Sequence, residues 1–169
     1  MREIERKFLV GEPPPHGPRG VRIDQGYLAV GDDEVRLRRK GERLSLCVKR
    51  GGGMIRSEEE IPLEREQFDA LWPATEGRRV QKQRTAIPHG GRTIELDVYE
   101  GELDGLVIAE VEFEDAAQAI AFVPPPWFGR EVTDDRRYKN QALAVIGLPE
   151  DVRPGDVVAR RRARRYLPG

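Results

Sequence analysis

Pairs of like charges recur at two-residue spacing along this chain: Glu3 and Glu5, Arg36 and Arg38, Glu58 and Glu60, Lys82 and Arg84, Glu95 and Asp97, Glu110 and Glu112. Lys7 follows the first pair, and Lys49 closes the run Leu44-Ser45-Leu46-Cys47-Val48. Side chains two apart on a strand point to one face. Each pair therefore presents two like charges together, while residues such as Ile4, Phe8 and Val10, or Ile94, Leu96 and Val98, take the other face. Carboxylate pairs are hard oxygen ligands suited to Mg2+ or Mn2+ rather than zinc. Arginine forks fix the geometry of phosphate oxygens, and lysines add point charge.

A single strand of this kind is what a half-exposed antiparallel sheet shows, with its charges solvated. The series is different, because like charges close together on a sheet repel. Repetition on strand after strand suggests a face organised around ligands, and charges withdrawn from water need partners. A charged-surface sandwich without an enclosed site accounts poorly for the pairing.

The elements that must carry these residues are mostly strands. They run over about 2–10, 23–30, 34–40, 43–49 and 54–61, then 78–87, 92–99 and 106–114. Gly41-Glu42 and His89-Gly90-Gly91 read as hairpin turns. The period changes over 62–72, where Leu63, Phe68, Leu71 and Trp72 share a helix face, and Asp115 caps a short helix to Phe122. Thr133 or Asp134 is the expected cap of a last helix that includes Tyr138, Asn140, Leu143 and Ile146 and closes at Gly147. The order is unlike βαβ repetition.

One domain over 1–149 and an arginine-rich tail over 150–169 is the expected organisation of this 169-residue chain. Charged residues make up 35% of it, yet the formal net charge is only -1, which favours neither a general nucleic-acid binder nor an acidic tail protein. Cys47 is the only cysteine, so no disulfide framework or thiolate metal cluster is expected. No apolar run reaches the length of a membrane span, and no leader precedes the first strand, so the expected location is the cytoplasm. A homodimer is compatible with the sequence. His16 and His89 fall in loops and read as surface residues.

From residue 1 to about 147 the ordered series of charge pairs, with Lys49 and the late Tyr138-Lys139-Asn140-x-x-Leu143, resembles the CYTH-domain family, the triphosphate tunnel metalloenzymes. The resemblance implies an α+β, mainly β fold: an eight-stranded antiparallel closed barrel forming a tunnel, with helices packed outside. Glu3 and Glu5 would face Glu110 and Glu112 across a metal, with Asp97 and Glu60 as further ligands or water-holders. Lys7, Arg36, Arg38, Lys49, Lys82 and Arg84 would cradle phosphates. Glu58 and Glu95 would either bind metal or orient the cations, and Tyr27 and Tyr138 would stand behind the site. The implied function is metal-dependent hydrolysis of inorganic triphosphate, a triphosphate-containing small molecule. Thiamine or nucleoside triphosphatase, adenylate cyclase, or a non-catalytic polyphosphate-binding module are the alternatives.

Overall fold

The computed structural model describes residues 4–12, 20–50 and 57–151. The alternating segments form β1 (Ile4–Leu9), β2 (Val21–Ala29), β3 (Glu34–Lys40), β4 (Arg43–Arg50), β5 (Ser57–Pro62), β6 (Arg79–His89), β7 (Arg92–Tyr99) and β8 (Val107–Phe113). They build one antiparallel sheet in the order β1-β8-β7-β6-β2-β3-β4-β5. Gly90 and Gly91, with φ of 55° and 76°, make the two-residue β6–β7 turn, a conformation costly for any residue with a Cβ. Among the described residues no helix is long and apolar enough to cross a membrane.

The sheet differs from the expected closed barrel. β1 and β5 are its edges, and no ladder joins them among the described residues. The outer edge of β1 is already engaged by the segment 129–133. Leu9 N–H donates to the Arg130 carbonyl at 2.9 Å, and Val132 N–H donates to the Lys7 carbonyl at 2.8 Å. Lys7 N–H in turn donates to Thr133 Oγ1 at 3.0 Å. These are the groups a β5 partner would need. β5 itself carries Glu58, Glu59 and Glu60 in succession and is largely exposed, a composition that discourages further pairing at an edge.

Helices α1 (Arg65–Leu71) and α2 (Ala116–Ala121) cover the apolar face of the sheet. Phe68, stacked on Trp72 with 5.2 Å between ring centroids, seals Leu37, Leu44 and Leu46. Ala119 and Phe122 pack on Ile94, Leu96, Val111 and Phe113. As expected, Asp115 caps α2, accepting from Gln118 N–H at 2.8 Å.

Helix α3 (Asn140–Ile146) lies on the other side of the sheet from α1 and α2. Tyr138 and Leu143 bury Leu9, Val80, Tyr99 and Ile108. By register those four residues belong to the charged face, so one end of that face is apolar and α3 covers it. The helix also starts later than expected. Asp135 caps a 3-10 turn at Arg136–Tyr138, while the Thr133 side chain is held by Lys7 and Glu131.

The contact of β2 with the 3-10 turn Trp72–Thr75 leaves no room at Gly26. A Cβ there would lie 2.6 Å from Thr75 Cβ and 2.5 Å from Thr75 Oγ1. Thr75 cannot yield easily, because its hydroxyl donates to the Trp72 carbonyl at 2.7 Å and accepts from Arg79 Nε at 2.8 Å. Gly26→Ala is expected to lower stability by about 1–3 kcal/mol in urea unfolding. Unchanged stability would mean that the turn moves freely off β2.

Candidate active site

Strand pairing brings the sequence-predicted residues onto one face. On the β1 side, Glu5 pairs with Glu112, Lys7 with Glu110, and Glu110 with Glu95. Arg84 pairs with Asp97 and Lys82 with Tyr99. β2 offers Ile23, Gln25 and Tyr27 to this face, next to Lys82 on one side and to Arg38 and Arg36 on the other. Beyond them, Cys47 pairs with Arg36 and Glu60, and Lys49 with Glu58. Glu3 lies outside the described residues. Glu5 and Glu112 are neighbours on adjacent strands.

The acidic half centres on Glu110. Its carboxylate has Lys7 Nζ at 3.2 Å and accepts from Arg84 Nη2 at 2.9 Å. Burial alone would raise this carboxyl, but Lys7, Lys82 and Arg84 pull it down to about 2. Burial likewise works against the Lys7 ammonium, and Glu110 and Glu5 outweigh it and raise its pKa. Glu110 Oε1 is buried without a well-directed hydrogen bond, although Lys7 is near.

Asp97 is wholly buried, and both of its oxygens are engaged. Lys82 Nζ donates to Oδ2 at 2.6 Å, and Arg84 donates through Nε at 2.6 Å and Nη2 at 2.7 Å. Arg84 also pairs with Glu95. Burial lowers the Lys82 ammonium below its ordinary value; Asp97 opposes the shift and Arg84 adds to it. Lys82 reaches one more acceptor, Asn140 Oδ1 on α3, at 3.3 Å.

The basic half pairs more loosely. Lys49 Nζ lies 3.0 Å from Glu58, and Arg38 donates to Glu60 at 2.8 Å, where Ser45 Oγ also donates. Cys47 Sγ donates to Glu58 at 3.3 Å, and burial pushes its thiol up to about 11. Arg36 is buried, its nearest carboxylate is Glu58 at 3.9 Å, and its Nε has no hydrogen-bond partner. A buried guanidinium N–H without an acceptor is costly, and an anion placed there would satisfy it.

A hard divalent cation fits the chemistry of the acidic half. Glu5, Glu110 and Glu112 offer only carboxylate oxygens, and Glu5 and Glu112 are register partners on neighbouring strands. Among the described residues no three carboxylate, imidazole or thiol groups already converge as a metal site. Asp97 and Glu60, expected as further ligands, are held by cations. His89 is exposed, as expected, and Tyr138 lies in the core beneath α3. Sequence reasoning gave Gln25, Tyr99 and Asn140 no role beside these charges. Alternation from Lys82 and Asp97 would have placed Tyr99 on this face, whereas the contact of Asn140 with Lys82 spans 58 residues of chain and has no local signal.

A family model of the CYTH domain matches residues 1–142. Over 151 residues the chain is 52% identical to an inorganic triphosphatase of Nitrosomonas europaea, covering 86% of this chain and 98% of that protein. It is 38% identical over 147 residues to a protein of the same name from Acetivibrio thermocellus, covering 84% and 92%. The crystal structure of an inorganic triphosphatase superposes with a TM-score of 0.70 at 47% identity, covering 86% of this chain and 95% of that one.

The environment of Glu110 generates a pH dependence. Its carboxyl lies below the ordinary value of 4.5, so in acid the unfolded chain takes up this proton before the folded protein does. The stabilisation is complete above 4.5 and is lost as pH falls toward 2. Its size is on the order of 3 kcal/mol. In urea unfolding of metal-free protein, wild type should lose stability on acidification more steeply than Glu110→Gln. Parallel curves would show that Lys7 and Arg84 do not hold this carboxylate ionised.

Proposed function

The chain belongs to the CYTH domain family, and on that premise we propose that it hydrolyses inorganic triphosphate to pyrophosphate and phosphate on its charged face. One observation carries the reading: strand register gathers carboxylates and cations on one face, with Glu5, Glu110 and Glu112 toward the β1 side and the buried Arg36 Nε without an acceptor toward the other. A bare triphosphate offers only anionic oxygens, so a face of charges suffices to bind it. A non-catalytic binding module would not need the acidic cluster.

In this reading Arg36, Arg38, Lys49, Lys82, Arg84 and Lys7 bind the phosphate chain. Glu5, Glu110 and Glu112, with Glu3, would hold Mg2+ or Mn2+, which when bound supplies Lewis-acid polarisation and makes water more acidic. Asp97 and Glu60 act on the cations instead: Asp97 aims Lys82 and Arg84, and Glu60 aims Arg38. Glu58 and Glu95 do the same for Lys49 and Arg84. Phosphoryl transfer passes through a loose transition state whose charge is spread over oxygens, so cations already held in place stabilise it without a covalent nucleophile. The two halves of the sheet would then enclose the substrate as a tunnel wall, without requiring a β1–β5 ladder.

The test is a phosphate-release screen over tripolyphosphate, ATP, thiamine triphosphate and long polyphosphate with Mg2+ or Mn2+. Tripolyphosphate should be preferred, and EDTA should abolish release. Glu110→Gln should lower kcat by about 100-fold or more. Arg36→Met should act mainly on KM, raising it about tenfold. Release from none of the substrates would leave a binding module, and preference for another triphosphate would reassign the substrate.

A further inference from the structure

We propose that Asn140 is a positioning residue that holds Lys82 in place for the phosphate chain, an inference that rests on the reading of the charged face as a triphosphate site. The Lys82 side chain is 2% exposed. Its ammonium has three N–H donors. One goes to Asp97 Oδ2 at 2.6 Å and one to Asn140 Oδ1 at 3.3 Å, which leaves a third for a ligand. The same Asn140 oxygen accepts from Tyr99 OH at 2.7 Å, so the amide is oriented from β7 while it bonds to β6. The Tyr99 ring flanks the ammonium, with its centroid 5.3 Å from Nζ.

Asp97 alone would not hold Lys82 in this direction, because that carboxylate is shared with Arg84 and draws the ammonium toward β7. Asn140 is the counterweight. It arrives on the first turn of α3, whose Leu143 is anchored in the apolar end of the face. Without its oxygen, Tyr99 OH and one Lys82 N–H would be buried and unsatisfied, and Asp97 alone would set the direction of the ammonium. Docking of α3 and the aim of a phosphate-binding lysine are thereby one event.

The experiment measures tripolyphosphate binding by calorimetry and phosphate release for wild type, Asn140→Leu, Lys82→Met and the double variant. Asn140→Leu should raise Kd and KM about tenfold while kcat changes less than about threefold. Asn140→Asp, which keeps an acceptor, should stay within about threefold of wild type. In the Lys82→Met background Asn140→Leu should add less than about twofold, because its effect runs through Lys82. The same loss in both backgrounds, or an unaltered Asn140→Leu, overturns the proposal. Melting curves verify folding, and Asn140→Ser replaces the leucine variant in the cycle if that variant does not fold. A wild type that neither binds nor cleaves tripolyphosphate overturns the substrate reading and this inference together. An active wild type with an additive cycle overturns only the role of Asn140.

Discussion

The buried ion cluster of Lys82, Arg84, Asp97 and Glu110 is the constraint on which the charged face depends. Asp97 and Lys82 are almost fully withdrawn from water, and each pays a desolvation cost that only close partners offset. Arg84 meets it by reaching three carboxylates on two strands, Asp97 and Glu95 on β7 and Glu110 on β8. A cluster of this kind is weak evidence for stability, since apolar side chains of similar size could fill the space. Its value is geometric: it fixes the positions of two cations and a carboxylate before any ligand arrives, the condition for electrostatic stabilisation without reorganisation.

Helix α3 shapes that cluster from above. Its apolar residues end the charged face with a plug of Leu9, Val80, Tyr99, Ile108, Tyr138 and Leu143, all buried. Low polarity on that side strengthens each ion pair beside it and makes an unpaired charge there more costly. The same strands thus supply apolar side chains at one end of a face and charged ones along the rest, and α3 decides where the boundary falls.

Much of this was readable from alternation. Residues spaced by two share a face wherever a strand forms, so the positions of Arg36, Arg38, Lys82, Arg84, Glu110 and Glu112 followed from their spacing once the strands were placed. Strand order, and therefore who neighbours whom, was not readable. The pairing of β2 with β6 and of β1 with β8 joins segments far apart in the chain, and no local pattern encodes it. It is register that sets Glu5 beside Glu112 and surrounds Asp97 with Lys82 and Arg84. The open edge was hidden for a related reason. The segment 129–133 has no strand signature, yet its backbone engages the edge of β1.

Register also explains why like-charge pairs recur at all. On most of the face a pair on one strand meets the opposite sign on the next: Arg84 beside Asp97, and Lys49 beside Glu58. There each charge has a close counter-ion before any ligand arrives. Across β7, β8 and β1 like charges also fall side by side, Glu95 beside Glu110 and Glu112 beside Glu5, next to the opposite-sign pair of Lys7 and Glu110. Lys7 lies 3.4 Å from Glu5 and 3.2 Å from Glu110, and Arg84 pairs with both Glu95 and Glu110. At the other side Arg36 sits buried with its Nε unmatched. The Arg36 Nε is thus a buried donor on this face that an anion would satisfy.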